Sequence, residues 1–94
     1  MEPATLLDAL VELVREAGVS VKVLPRTSLR DGEPAPASDL CLIRGEPLLL
    51  LASSAPLEDR ISAAARAARR FAPDLIEARF LPPAVRERLE RAEG

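Results

Sequence analysis

The chain has 94 residues, 48% hydrophobic and 30% charged, with a formal net charge of -2. That balance describes one small soluble domain with no overall attraction for nucleic acid. No apolar run nears the ~18 residues of a membrane span, there is no His, Tyr or Trp, and the single Cys excludes an internal disulfide.

The missing histidine removes the commonest general base near neutral pH. Ser-His and Cys-His nucleophiles and His-ligated zinc go with it. Carboxylate-only catalysis and oxygen-ligated magnesium would need acids converging in a pocket. The chain is therefore expected to be no enzyme and to carry no metal or cofactor. Its start, Met-Glu-Pro-Ala-Thr, is acidic where a signal peptide is basic. With the lone Cys41, this gives an expected cytoplasmic location.

Residues 3–17 read as an amphipathic helix. Leu6, Leu7, Leu10, Leu13, Val14 and Ala17 recur at spacings of three and four. Pro3 suits the first turn, and Gly18 is a helix stop. Val19, Val21 and Val23 then alternate with period two, which predicts a strand ending at Pro25. Residues 26–38 are rich in turn residues, with Asp31-Gly32, Pro34 and Pro36, and are expected to form a mobile loop. Simple connection and a binding role are both open for it.

Asp39 to Ala52 reads as two strands joined by the turn Arg44-Gly45-Glu46-Pro47. Leu40 and Leu42 fall on one face, Cys41 and Ile43 on the other, and Leu48 to Leu51 are apolar without a break. A hairpin wet on one side would alternate with polar residues. Both faces of this one are expected to be covered. Ser53 to Asp59 then reads as a helix start, with Pro56 at the first position and acids in the first turn. The second helix runs to about Ala72. Its buried stripe is Leu57, Ile61, Ala64, Ala65, Ala68, Phe71 and Ala72. Residues 75–81 are expected to be a short strand or extended segment. Pro82-Pro83 launches a last helix within 82–94.

The elements predict a single α+β domain over residues 1–94. It has two layers: an α-β-β-β-α core with a C-terminal extended segment and helix. The first two helices would cover one sheet face. The other face is left to the C-terminal segment or to another molecule.

Leu49 and Leu51, in the most apolar run, are expected to face a partner. Arg66, Arg69 and Arg70 lie opposite the buried stripe of the second helix. They read either as an anion or nucleic-acid patch or as a solvated face favoured by the helix dipole. No aromatic residues interleave with them for base stacking. Asp8, Glu12 and Glu16 recur every four residues on the first helix. They form an acidic ridge, either plain surface or a docking ridge for a basic partner. Cys41, between two leucines, reads as a small core hydrophobe.

The stretch from Leu40 through Gly45-Glu46-Pro47 and Pro56 to Ile61 resembles the middle of minimal zinc-metallopeptidase domains. Those place a hairpin, a proline-containing helix start and a His-Glu-x-x-His helix in this order. The resemblance covers roughly residues 39–72 and rests on layout. Where such a helix carries its histidines and glutamate, this chain has Ala65, Arg66 and Arg69. The resemblance therefore implies a shared scaffold without its metal or its proteolysis.

The expected function is a non-catalytic protein–protein interaction module or small regulatory subunit. It would act as a homodimer or in a hetero-complex, with no membrane partner. The alternative is an accessory nucleic-acid-binding protein using the basic face of the second helix.

Overall fold

Gly18 sets the direction of the first half of the fold. In the computed structural model, which describes residues 1–24 and 39–92, helix α1 spans Pro3–Glu16. The expected loop 26–38 and the last two residues lie outside the described residues. At the end of α1 the Gly18 N–H donates to the Arg15 carbonyl at 3.0 Å, and the Val19 N–H to the Val14 carbonyl at 3.2 Å. This is a Schellman cap, and it needs a left-handed residue at Gly18, whose φ is +88°. Val14 and Val19 are both buried, which supplies the apolar contact that accompanies the cap. The chain reverses there into β1 (Ser20–Leu24).

The hairpin follows as β2 (Asp39–Ile43) and β3 (Glu46–Ala52). Its loop is only two residues, Arg44 and Gly45, with φ of 53° and 81°. Two positive φ values in a two-residue loop match the right-handed twist of the strands it joins. The strand order is β1-β3-β2. β3 is central, parallel to β1 and antiparallel to β2. The most apolar strand thus takes the one position with a neighbour on each side.

Helix α2 (Leu57–Phe71) begins one residue after Pro56, which caps it instead of opening it. Glu58 and Asp59 sit in its first turn, Arg69 and Arg70 in its last. Both pairs complement the helix dipole. Its buried residues are Ile61, Ala63, Ala64, Ala65, Ala67 and Ala68. The expected extended segment at 75–81 is instead helical at its start: α3 spans Pro73–Ala78. Pro73 ends α2, and it also fits the first turn of the next helix, followed by Asp74 near that helix's positive end. The last helix, α4, spans Pro83–Arg91.

These elements form an α+β domain of two layers. α1 and α2 pack together over one sheet face. Leu6, Leu10, Leu13 and Val14 of α1 join Leu49 and Leu51 of β3 and Ile61 of α2 in the core. α4 adds Val85 and Leu89 and packs on α1 and α2. It extends the helical layer and does not cross to the far side of the sheet. No helix among the described residues is long and apolar enough to cross a membrane.

A Cβ added at Gly18 would meet nothing within 4 Å. The cost of Gly18→Ala is therefore conformational, about 1–2 kcal/mol for a left-handed non-glycine residue. Thermal unfolding should show a melting temperature lower by roughly 4–8 °C per kcal/mol. Gly18→Asn should lose less, since Asn tolerates this conformation.

Candidate functional site

The sheet register divides the strand residues into two sets. One row is Val21, Leu49 and Leu40; the next is Lys22, Leu50 and Asp39. Paired residues share a face and successive rows alternate. Val21, Leu40, Leu49 and Leu51 belong to the core beneath the helices. Leu49 is 0% exposed and Leu51 3%. This corrects the expectation that they face a partner: alternation along β3 turns them onto the helices.

The leucines on the other face are Leu48 and Leu50. Around them lie Leu24 of β1 and Cys41 and Ile43 of β2. Ile43 is 56% exposed, and the other four are half-buried. None of the five is part of the buried core. Among the described residues, the helices pack on the Leu49 side or on one another. Cys41, expected in the core, is on this open face. Its row is Ser20, Leu48 and Cys41. The row through Leu50 ends in Lys22 at one sheet edge and Asp39 at the other. Both charged residues are exposed. Neither has an ion-pair partner among the described residues.

The helical charges are more dispersed than their spacing implies. Arg66, Arg69 and Arg70 are all exposed. Arg69 Nη1 donates to the Leu89 carbonyl at 2.9 Å, joining α2 to α4. The Arg70 guanidinium lies 5.3 Å from the centre of the Phe71 ring. Arg66 lines a cleft of about 440 Å³ between α2 and α4, with Glu58, Ser62, Arg88 and Arg91. Within it Arg88 pairs with Glu58 and donates to Ser62 Oγ at 3.1 Å. The acidic ridge is divided too. Asp8 and Glu12 line a hollow of about 410 Å³ beside Arg15 and Arg60. Glu16 pairs with Arg79 and ties α1 to the end of α3. Among the described residues, no three Cys, Asp or Glu are grouped so that they could hold a metal ion.

No family model, curated protein or solved structure matches this chain. The geometry alone must carry a functional reading. At the positions compared with a zinc-binding helix, Ala65 is buried and both arginines are exposed. Ala65 and Arg66 line the α2–α4 cleft, while Arg69 reaches Leu89.

Two features escaped the sequence pattern. Phe80, in the link between α3 and α4, is 96% exposed. Arg88, one of many arginines in the sequence, holds two groups of α2 at once. Its side chain is only 14% exposed. Arg88→Met should cost about 1 kcal/mol, because Ser62 and Glu58 lose their partner. Arg66→Ala with Arg70→Ala should cost under ~0.5 kcal/mol each. Denaturant midpoints of the two variants would separate a structural arginine from surface ones.

Proposed function

We propose that this chain is a non-catalytic protein–protein interaction module whose working surface is the open face of the sheet. One observation carries the reading. Leu24, Cys41, Ile43, Leu48 and Leu50 share one sheet face with Glu46 and the buried Ala52, and none of the five belongs to the core cluster among the described residues. Apolar surface gathered on one face marks an association site more often than scattered apolar residues do, and on the helix-side face the exposed ones are Val23 and Leu42, one on each edge strand. The missing histidine supports a non-catalytic role, since it removes the usual general base.

Accessory nucleic-acid binding is the alternative, and the side chains serve it less well. Arg69 is engaged with Leu89 and Arg70 with Phe71, leaving Arg66 as the member of the trio that opens onto a cleft. Steeply salt-dependent binding of single- or double-stranded nucleic acid would favour that alternative.

The two parities of β3 give a direct test. Leu49→Asp puts an unpaired carboxylate in the core and costs several kcal/mol, comparable with the stability of a small domain. It should unfold the chain. Leu50→Asp, on the open face, should leave a folded chain at high dilution and abolish its associations. Circular dichroism melts and sedimentation on both variants would show this. If Leu50→Asp unfolds the dilute chain as Leu49→Asp does, the face is interior and the proposal fails.

A further inference from the structure

We infer that the occupant of this face is a second copy of the chain, docked sheet to sheet about a two-fold axis that runs along the strands. The inference rests on the reading of the open face as the interaction surface. Its basis is where the charges sit. Along β3 the face is apolar at Leu48 and Leu50, between the exposed Glu46 at one end and the buried Ala52 at the other. The row through Leu50 carries Lys22 on β1 at one edge and Asp39 on β2 at the other.

Two sheets packed face to face keep their strands within about 30° of each other and lie ~10 Å apart. Two-fold axes compatible with this lie in the plane between the sheets, along the strands or across them. An axis across the strands stacks β1 on β1 and β2 on β2. Through the Leu50 row it sets Lys22 beside Lys22 and Asp39 beside Asp39, and through the Leu48 row it sets Asp39 over Ile43. An axis along the strands, above β3, stacks β1 on β2 instead. Each Lys22 then meets an Asp39 of the other copy, and symmetry makes the pair twice. Leu48 and Leu50 meet their own counterparts at the centre, and the exposed Glu46 meets its own at the end of β3. A lysine stem and an aspartate together span the ~10 Å gap between sheets. The row through Leu50 is thus both halves of its own complement, as a two-fold interface requires.

The size of the face sets the strength. Three strands ~4.8 Å apart and five residues long at ~3.3 Å each give a projected area of roughly 250 Å² per copy. A standard interface buries ~800 Å² per partner. The face is therefore well below the standard size, and the dimer is a weak, concentration-dependent one.

The test is sedimentation of the full chain at low ionic strength, over a concentration series spanning the micromolar range. The rate of Cys41 labelling by a thiol reagent is followed in parallel, since Cys41 lies on the open face beside Leu48. The expected result is a monomer–dimer equilibrium in which Cys41 labelling slows as the dimer forms. Lys22→Asp and Asp39→Lys should each weaken the dimer about tenfold or more, because each turns two attractive pairs into two repulsive ones. The double variant, with the charges exchanged, should recover most of the loss. A monomer at every concentration with freely labelled Cys41 overturns the second copy, yet leaves the face open to a different protein. A monomer with protected Cys41 overturns this inference and the proposed function together. A dimer in which Cys41 labels at the monomer rate assembles through another surface and overturns the inference. A dimer indifferent to the single charge reversals overturns the two-fold arrangement.

Discussion

Leu49 and Leu51 of β3 enter the same buried cluster as the alanines of α2, and both layers of the fold hang on that meeting. Two neighbours make it workable. β3 is central, so its side chains lie under the middle of the helical layer and not at its rim. α2 is built of alanine where it is buried, so its axis can approach the sheet, α1 and α4 closely. Its buried positions run through 61, 63, 64, 65, 67 and 68, a wide arc for one helix. Arg66, Arg69 and Arg70, at spacings of three and four, mark its exposed side. Alanine buries little area per residue, so the larger side chains come from elsewhere. Leu10, Val14, Leu49, Ile61 and Val85 are the largest fully buried ones.

The same meeting leaves the other side of β3 without a helix over it among the described residues. A strand whose four central residues are all leucine cannot be apolar on one face alone. Turning Leu49 and Leu51 inward turns Leu48 and Leu50 outward. The charges at the edges of the outward face make this tolerable. Lys22 and Asp39 stand on the edge strands, where charge also discourages unwanted pairing of the free edges. They bound the apolar centre and leave it no wider than one strand and part of its neighbours.

Much of the fold was legible because its signals are local. Gly18 marked the end of α1, since few other residues take the left-handed conformation of the cap. Gly45 marked the hairpin for a similar reason. The periodicity of α1 and the acid-to-base order of α2 placed both helices. What failed to show was which parity of β3 faces inward. Leucines at all four positions carry no polar marker. The polar markers of the outward parity were Glu46, at the start of β3 where it reads as part of the turn, and Lys22 and Asp39 on the neighbours, and the Lys22–Leu50 pairing is a parallel one between strands far apart in sequence. Asp39 was nearer to hand, because the hairpin sets it opposite Leu50. The start of α3 was missed for a different reason. Ile76, Ala78 and Phe80 alternate with Glu77 and Arg79, which imitates a strand, while Pro73 serves as the end of one helix and the beginning of the next.

The C-terminal helix explains why the open face is not closed from within the described residues. α4 is amphipathic and nine residues long, and its buried positions are Val85 and Leu89. Both are already part of the core beside α1 and α2. Its other sides carry Arg86, Glu87, Glu90 and Arg91, all exposed. A helix with one short apolar stripe can cover one surface. The prolines decide which one. Pro73 stops α2 and starts α3, and Pro82-Pro83 starts α4 after the chain has turned. Among the described residues, polar ties then hold that return path: Arg79 with Glu16, Arg69 with the Leu89 carbonyl, Arg86 with the Ile76 and Arg79 carbonyls, and Arg88 with Glu58 and Ser62. All of them join helix to helix. The chain thus places the apolar stripe of α4 on the helical layer, and the outward leucines of β3 stay outside the core formed by the described residues.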